Sequence, residues 1–292
     1  MASTVMTTIS NISNLYEDFI ISRGDPRVQS WPLLKTPTNT VAIIVMYLLM
    51  VKLGPRLMRD RKPFDLRWTL VPFNAFLVCL STYIFYECIS CVILSGYTLL
   101  CMGVDYSNSP LALRMARVCW WFFISKFIEM FDSLIFILRK KNSQLSFLHV
   151  YHHTTTAAYC WIGANYLPGG NSYFCVVINS FVHMIMYSYY GLSAIGPHMQ
   201  KYLWWKKYLT WLQLVQFIAN VYVGVHAIFV SQCDFSRAYS ILGGAYSVSL
   251  AILFSHFYRQ AYHKPRARKH DAVNGKMENG KAELITEKEK QG

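Results

Sequence analysis

Seven long apolar stretches constrain the fold of this chain more than any other feature of its sequence. They cover residues 40–53, 70–94, 116–138, 147–167, 173–196, 208–230 and 238–262. A helix needs about 20 apolar residues to cross a bilayer, and these runs are continuous rather than alternating, which favours helices over a β-barrel. Charged residues make up only 15% of the chain, whereas a soluble domain carries roughly 25%. The sequence therefore predicts an all-α integral membrane protein with seven transmembrane helices.

The distribution of lysine and arginine between the connections predicts the orientation in the membrane. The first, third and fifth connections are basic, whereas the second, fourth and sixth carry few basic residues. Because cytosolic loops are enriched in Lys and Arg, we expect the basic connections and the C-terminal tail in the cytosol and the N-terminus in the lumen. The net charge of +13 then reflects topology rather than nucleic-acid binding. The predicted organisation is a luminal segment (1–38), a helical domain (39–262) and a disordered cytosolic tail (263–292).

Three short signals agree with this orientation. Cys101 and Cys233 both fall in luminal connections, so a disulfide between them is plausible, with two free thiols as the alternative. Asn11 begins a glycosylation sequon on the luminal side. Lys288 and Lys290 resemble the dilysine signal that returns membrane proteins to the endoplasmic reticulum, although a lysine-rich tail produces such spacing by chance.

Ionisable side chains cluster within the third and fourth apolar stretches. Such residues are costly inside a membrane, so each one is a candidate for function. Their spacing keeps each group on one side of its helix. These residues are Lys126, Glu129, Asp132, His149, His152 and His153.

Two further spans add polar residues at the same depth. The fifth carries Asn179, His183, Tyr187 and Tyr190, and the sixth carries Gln213 and Gln216. Counting about 1.5 Å per residue from each cytosolic end places all of these groups in the cytosolic half of the bundle. The sequence therefore predicts a site open to the cytosol with an apolar cavity behind it. A structural ion pair on the third span and helix–helix contacts of the glutamines are the alternatives.

Three histidines on one helical face are suited to two kinds of chemistry. Their spacing suits zinc or iron, but membrane di-iron enzymes need several such boxes and this chain has one. An imidazole is otherwise both a nucleophile and a proton shuttle at neutral pH. Cysteine, the usual nucleophile of condensing enzymes, is disfavoured because Cys119, Cys160 and Cys175 lie toward the luminal ends of their spans.

Four motifs, taken in order, resemble those of the very-long-chain fatty acid elongases. They are Lys126-x-x-Glu129-x-x-Asp132, the box His149-Val150-Tyr151-His152-His153, Asn179-x-x-His183-x-x-Met186-Tyr187 and Thr210-x-x-Gln213-x-x-Gln216. The resemblance covers residues 25–265. Tyr151 resembles the branch that acts on polyunsaturated and very long acyl chains. Ser133 stands where the family usually has threonine, and Val223 where it commonly has histidine.

This resemblance implies a 3-oxoacyl-CoA synthase in the endoplasmic reticulum membrane. Such an enzyme condenses acyl-CoA with malonyl-CoA, releases carbon dioxide and CoA, and carries out the first step of microsomal fatty acid elongation. The resemblance implies an acyl-chain tunnel, no metal or redox cofactor, and contact with membrane lipid. A homo-oligomer or a hetero-oligomer with other elongation-cycle enzymes is expected, and no nucleic acid. A membrane di-iron desaturase or oxidase and a non-enzymatic seven-helix receptor or transporter remain as alternatives.

The resemblance also implies roles for individual residues. His152 would carry the acyl group as an acyl-imidazole, and His183 would assist it. His149 and His153 would shuttle protons and stabilise an enolate, while Glu129 and Asp132 would orient the imidazoles and Lys126 would balance their charge. The expected substrate contacts are Asn179, Tyr187, Tyr190, Gln213, Gln216, Arg139, Lys140, Lys206, Lys207, Arg266 and Arg268. The six basic residues would bind CoA phosphates unless they only set topology.

Overall fold

The computed structural model describes residues 20–229 and 233–262, and this part of the chain is helical with no strand. The helices are α1 Pro37–Leu57, α2 Arg67–Leu94, α3 Pro110–Glu129, α4 Phe131–Leu138, α5 Phe147–Tyr166, α6 Ser172–Ile195, α7 Lys206–Phe229 and α8 Arg237–Tyr262. Short 3₁₀ helices lie at Asn142–Gln144 and Pro197–Tyr202. The predicted all-α class is confirmed. The chain divides into two compact units, and the packing contacts described below lie within the first unit, which ends at Phe254.

Five helices, namely α1, α2, α6, α7 and α8, are long and apolar enough to cross a membrane. The chain is therefore a multi-pass membrane protein. The α3–α4 pair and α5 do not meet the same criterion. They carry the charged residues, histidines and threonines of the polar layer, which lower their apolar character. The count of seven spans accordingly stays a prediction.

The third apolar stretch is interrupted at Met130, where the sequence predicts one continuous helix. The backbone amides of Met130 and Ser133 each bond to the carbonyl three residues earlier, at 3.2 Å and 3.1 Å. This pattern is the tighter 3₁₀ geometry, which commonly joins two helices. The turn separates Glu129 at the end of α3 from Asp132 in the first turn of α4.

Two of the three buried clusters in the described residues hold the earlier helices together, and the third joins α6 to α7 through Tyr189 and Leu209. The larger one packs α2, α3, α5 and α6 around residues such as Met115, Phe123 and Trp161. The smaller one joins α1 to the α3–α4 turn and to α5 through Tyr47, Met130 and Ala157. Helix α2 packs along α6 over much of its length. Large apolar side chains on the outer faces, such as those of Leu57 and Phe229, are exposed. A lipid-facing surface requires such side chains.

Residues 20–36 pack across one end of the bundle. Val28 and Leu34 are fully buried in the larger cluster. The indole nitrogens of Trp120 and Trp161 donate to the carbonyls of Pro32 and Leu33, at 3.0 Å and 3.1 Å. Because these donors come from α3 and α5, the segment closes the same end of both helices.

A disulfide between Cys101 and Cys233 lies at this closed end, with a Cα–Cα distance of 5.5 Å. It ties the α2–α3 connection to the α7–α8 connection. The side chain of Asn171, before α6, accepts from the amide of Met102 at 2.9 Å and donates to the carbonyl of Leu100 at 3.2 Å. Three connections are thus joined covalently or by hydrogen bonds.

Candidate functional site

A buried carboxylate at the end of α3 is the centre of the polar layer. Oε1 of Glu129 lies 2.7 Å from Nζ of Lys126 and 3.1 Å from Nδ1 of His183 on α6. The hydroxyl of Ser125 donates to the same oxygen at 3.3 Å, and Lys126 also donates to Oδ1 of Asn179 at 2.9 Å. Lys126 and Glu129 are each 2% exposed. The structure therefore brings together the predicted residues of the third and fifth apolar stretches.

Asp132 occupies a second position in this layer. Its Oδ2 accepts a hydrogen bond from the hydroxyl of Tyr187 at 3.1 Å. The ring of Tyr187 contacts those of His183 and Tyr190 edge-on, with centroid distances of 5.6 Å and 6.0 Å. Asp132 is therefore bonded to a tyrosine, and it is Glu129 that lies against an imidazole.

The three histidines of the box lie on the first turns of α5. The hydroxyl of Ser146 accepts from the backbone amide of His149 at 3.3 Å, a side-chain cap that begins the helix at this point. The centroid of the His153 ring lies 4.4 Å from that of His149 and 5.3 Å from that of His152. The spacing therefore produces one continuous imidazole face, as the sequence predicts.

His152 differs from the other two histidines in its surroundings. His149 is bonded through Nε2 to the hydroxyl of Ser133 at 2.7 Å, and His153 is 7% exposed. Within the described residues, neither ring nitrogen of His152 has a hydrogen bond or ion pair, and its side chain lines a cavity. A free imidazole nitrogen facing a cavity is available for chemistry.

This cavity lies between α3, α5, α6, α7 and α8. On α5 its wall runs from His152 to Ala164, a distance of about 18 Å along the helix. Asn171 and Phe235 line its far end, next to the connections joined by the disulfide. Cys119, Cys160 and Cys175 also line it, so these thiols share the cavity with His152.

Two reciprocal tyrosine–glycine contacts form the wall between α5 and α8. The rings of Tyr159 and Tyr239 stack with a centroid distance of 4.7 Å and an interplanar angle of 9°. A Cβ at Gly163 would collide with the Tyr239 hydroxyl, and one at Gly243 with the Tyr159 hydroxyl. Each glycine therefore makes room for the tyrosine of the opposite helix. The sequence analysis missed these tyrosines, although the helical spacing of the two cavity-lining tyrosines on α8, at 239 and 246, offered a signal.

The predicted substrate contacts separate into two groups. Asn179 and Gln216 line the cavity, whereas Tyr187, Tyr190 and Gln213 do not; Gln213 approaches the sulfur of Met186 at 3.5 Å.

The predicted basic residues lie apart from the cavity lining. Lys140 donates to the carbonyl of Arg59 at 2.8 Å, and Lys207 lies over the ring of Tyr208. Arg139 follows α4, and Lys206 begins α7. The remaining predicted positions lie outside the described residues: Asn11, Arg266, Arg268, Lys288 and Lys290.

The described residues contain no group of three or more His, Cys, Asp or Glu side chains arranged to hold a metal ion. The histidine box contacts serine, tyrosine and phenylalanine as well as its own members.

Comparison with known proteins identifies the family. The sequence profile of the GNS1/SUR4 family, also named ELO, matches residues 32–270. The chain belongs to the ELO family. It is 43% identical over 292 residues to very long chain fatty acid elongase 4 of Homo sapiens, covering 99% of this chain and 91% of the relative. It is 46% identical over 271 residues to very long chain fatty acid elongase 1 of Homo sapiens, covering 90% and 96%.

An insect ELO relative is similar to the same extent. Very long chain fatty acid elongase 7 of Drosophila melanogaster is 44% identical over 252 residues, covering 85% of this chain and 76% of the relative. The matched region contains the histidine box, the Glu129 cluster and the cavity walls. The elongase resemblance seen in the four motifs is therefore confirmed.

Proposed function

We propose that this ELO protein is a 3-oxoacyl-CoA synthase that condenses a long-chain acyl-CoA, of the polyunsaturated or very-long-chain class, with malonyl-CoA. The observation that carries the proposal is the position of His152, whose ring nitrogens have no partner in the described part of the chain and which lines an apolar-walled cavity. The relatives' names, which all specify very long chain fatty acid elongases, supply the substrate class. An acyl group carried on His152 would extend along the cavity.

The first step transfers the acyl group to His152. One ring nitrogen attacks the thioester carbonyl, the carbon–sulfur bond breaks, and the departing CoA thiolate takes the proton of the other ring nitrogen. The products are a neutral acyl-imidazole and CoA. The buried Glu129–His183 pair, which joins α3 to α6 in the same polar layer, assists by fixing one imidazole in place.

The second step forms the carbon–carbon bond. Malonyl-CoA loses carbon dioxide, and the electron pair left behind forms a thioester enolate. The enolate carbon attacks the acyl carbonyl, the carbon–nitrogen bond to His152 breaks, and the departing imidazole nitrogen takes up one proton. The release of carbon dioxide drives the step, so the proposed reaction uses no metal or redox cofactor.

The cavity is the proposed acyl-chain tunnel. Burial of each methylene contributes about 0.8 kcal/mol, so its apolar walls favour a long chain. The two tyrosine–glycine contacts lie beyond His152 along α5, and Gly163 is about 16 Å from it along the helix. We propose that these contacts set how far a chain extends.

This proposal predicts the effect of one added methyl group. Gly163→Ala places a Cβ against the Tyr239 hydroxyl and displaces that ring into the cavity. Overpacking costs about 1–3 kcal/mol, so we expect elongation of the longest acyl-CoAs to fall about tenfold. Shorter acyl-CoAs, which do not reach Gly163, should react at the unaltered rate. Product chain lengths measured by mass spectrometry provide the readout.

A second variant isolates the cause of that effect. Tyr239→Phe removes the hydroxyl that the new Cβ would meet, so Gly163→Ala/Tyr239→Phe should recover the longest products. Equal losses for short and long substrates in Gly163→Ala would contradict a role in chain length.

We place the protein in the endoplasmic reticulum membrane with its N-terminus in the lumen and its C-terminus in the cytosol. The support is the alternation of basic connections, which puts the first turns of α5 at the cytosolic side. CoA is a cytosolic substrate and reaches His152 from this side. In this proposal lipid surrounds the helices, and the protein forms a homo-oligomer or associates with other enzymes of the elongation cycle.

Malonyl-CoA with label at one of two carbons tests the reaction. Yeast microsomes that contain the full chain are incubated with a panel of acyl-CoAs. Label at the malonyl methylene carbon should enter a 3-oxoacyl product, and label at the carboxyl carbon should leave as carbon dioxide. A desaturase would alter the acyl chain without malonyl carbon, and a transporter or receptor would do neither. Absence of labelled 3-oxoacyl product with every acyl-CoA would refute the proposal.

A further inference from the structure

A buried hydrogen-bonded chain runs from α1 to the histidine box. The hydroxyls of Tyr47 and Ser133 lie 2.9 Å apart, and the Ser133 hydroxyl lies 2.7 Å from Nε2 of His149. Tyr47 is 4% exposed and Ser133 is fully buried. The ring of Tyr47 also lies 6.2 Å from that of His153, centroid to centroid. Tyr47 thus approaches two of the three box histidines, although it belongs to none of the four motifs.

Only one arrangement of protons satisfies both hydroxyls. Each hydroxyl has one hydrogen to donate, and buried donors in proteins are almost always hydrogen-bonded. Within the described residues Tyr47 has no hydrogen-bond partner other than Ser133. Tyr47 must therefore donate to Ser133, and Ser133 must donate to Nε2 of His149. The opposite direction, with His149 donating, leaves the Tyr47 hydrogen buried without an acceptor.

From these two hydrogen bonds we infer that Tyr47 and Ser133 are positioning residues that hold His149 as a neutral imidazole with its proton on Nδ1. Because Nε2 accepts from Ser133, the Nδ1–H group is the one donor that His149 offers to a ligand. An imidazole whose tautomer is fixed by a second group stabilises developing negative charge without prior protonation.

The inference rests on the proposed function for the identity of that charge. His149 lies one turn before His152 on the same face of α5, which puts it beside the acyl group that His152 carries. Decarboxylation of malonyl-CoA leaves negative charge on the thioester oxygen of the enolate. We assign the Nδ1–H of His149 as the donor to this oxygen. His149 then serves the condensation step and is not needed for the transfer of the acyl group to His152.

The tautomer is tested first, by nitrogen NMR of the full chain in detergent micelles with labelled histidine. The His149 signals, assigned with His149→Ala, should show a neutral ring protonated at Nδ1. Tyr47→Phe and Ser133→Ala should shift them toward a mixture of tautomers, whereas Ser133→Thr, which keeps the hydroxyl, should preserve the Nδ1–H form. Protonation at Nε2 in the unaltered protein would overturn the inference.

The role is tested by separating the two half-reactions. Tyr47→Phe and Ser133→Ala should slow condensation of preformed acyl-enzyme with malonyl-CoA at least tenfold, and leave the acylation rate within about twofold. Ser133→Thr should restore condensation. Tyr173→Phe is the matched control, since it removes a tyrosine hydroxyl that donates to the carbonyls of Thr98 and Leu99 at the closed end. Equal losses in acylation and condensation would show that the hydrogen bonds between Tyr47, Ser133 and His149 have only a structural role.

Failure of the proposed function can be distinguished from failure of the inference about the His149 tautomer. If the unaltered protein neither acquires an acyl group nor consumes malonyl-CoA, the proposed function fails, and with it the role of His149 in condensation. The tautomer measurement does not depend on either substrate.

Discussion

His152→Ala is expected to abolish elongation and to prevent any acyl group from attaching to the protein. The imidazole is the only nucleophile that the protein supplies in the proposed mechanism, so its removal leaves no carrier for the acyl chain. Loss of a nucleophile typically lowers the rate by several orders of magnitude. Intact-mass measurement after incubation with acyl-CoA alone should show one added acyl group in the unaltered protein and none in the variant.

A histidine outside the site provides the control. His198 lies in the 3₁₀ helix before α7 and is exposed. His198→Ala should form the adduct and the 3-oxoacyl product at the unaltered rate. Formation of the same adduct by His152→Ala would show that another group is the nucleophile. Cys119, Cys160 and Cys175 would then be the next candidates, because they line the same cavity.

Variants of the other two box histidines should give a different result from His152→Ala in this assay, because they should still acquire the acyl group. His149 is bonded to Ser133, and His153 is almost fully buried among rings. Neither lines the cavity, so neither is expected to carry the acyl group. The resemblance to the elongases implies the same division of roles, and the structure adds the different surroundings of the three rings, which their spacing on one helical face does not specify.

The helices themselves could be predicted from hydrophobicity almost completely. The apolar run 173–196 predicts α6 at Ser172–Ile195, and the run 70–94 predicts α2 at Arg67–Leu94. Both apolar runs form continuous helices because a membrane-spanning segment must satisfy its backbone hydrogen-bonding groups internally. The break at Met130 could not be predicted, since no Pro or Gly marks it and its cause is a local change in backbone hydrogen bonding.

Contacts between distant segments account for what sequence reasoning missed in the site. The polar stripes on α3, α5 and α6 follow from spacing within single helices. Tyr47 reaches Ser133 across 86 residues, and within its own apolar run it looks like any other aromatic residue. Gly163 likewise matters only because Tyr239 of another helix lies over it. Such pairings depend on how helices pack, which periodicity does not specify.

The buried Lys126–Glu129 pair supports the second prediction of large effect. Both side chains are 3% exposed, and Glu129 is also the partner of His183 and Ser125. Lys126→Met keeps the length of the side chain and removes its charge, which leaves a carboxylate buried without its cation. Breaking a buried pair in this way costs about 3–5 kcal/mol. We expect a matching loss in the free energy of unfolding, measured by denaturant titration in detergent.

Removal of both charges should restore most of this stability. In Lys126→Met/Glu129→Gln the amide keeps a hydrogen-bonding group beside His183, and no isolated charge remains buried. Replacing both members of a buried pair is often nearly neutral, in contrast to replacing one. The exposed pair Arg59–Asp60, at 3.6 Å with side chains 82% and 86% exposed, is the control. Arg59→Met should leave the unfolding transition unchanged, because water screens exposed pairs.

The double variant also separates stability from catalysis. If Glu129 only balances the charge of Lys126, Lys126→Met/Glu129→Gln should recover activity together with stability. If Glu129 holds His183 through its charge, at the 3.1 Å seen between Oε1 and Nδ1, the double variant should fold normally and still transfer the acyl group to His152 slowly. The proposed mechanism requires the second outcome, since the carboxylate is the group that holds the His183 imidazole in place, and a neutral amide forms a weaker hydrogen bond than a carboxylate does. A fully active double variant would confine the pair to a structural role.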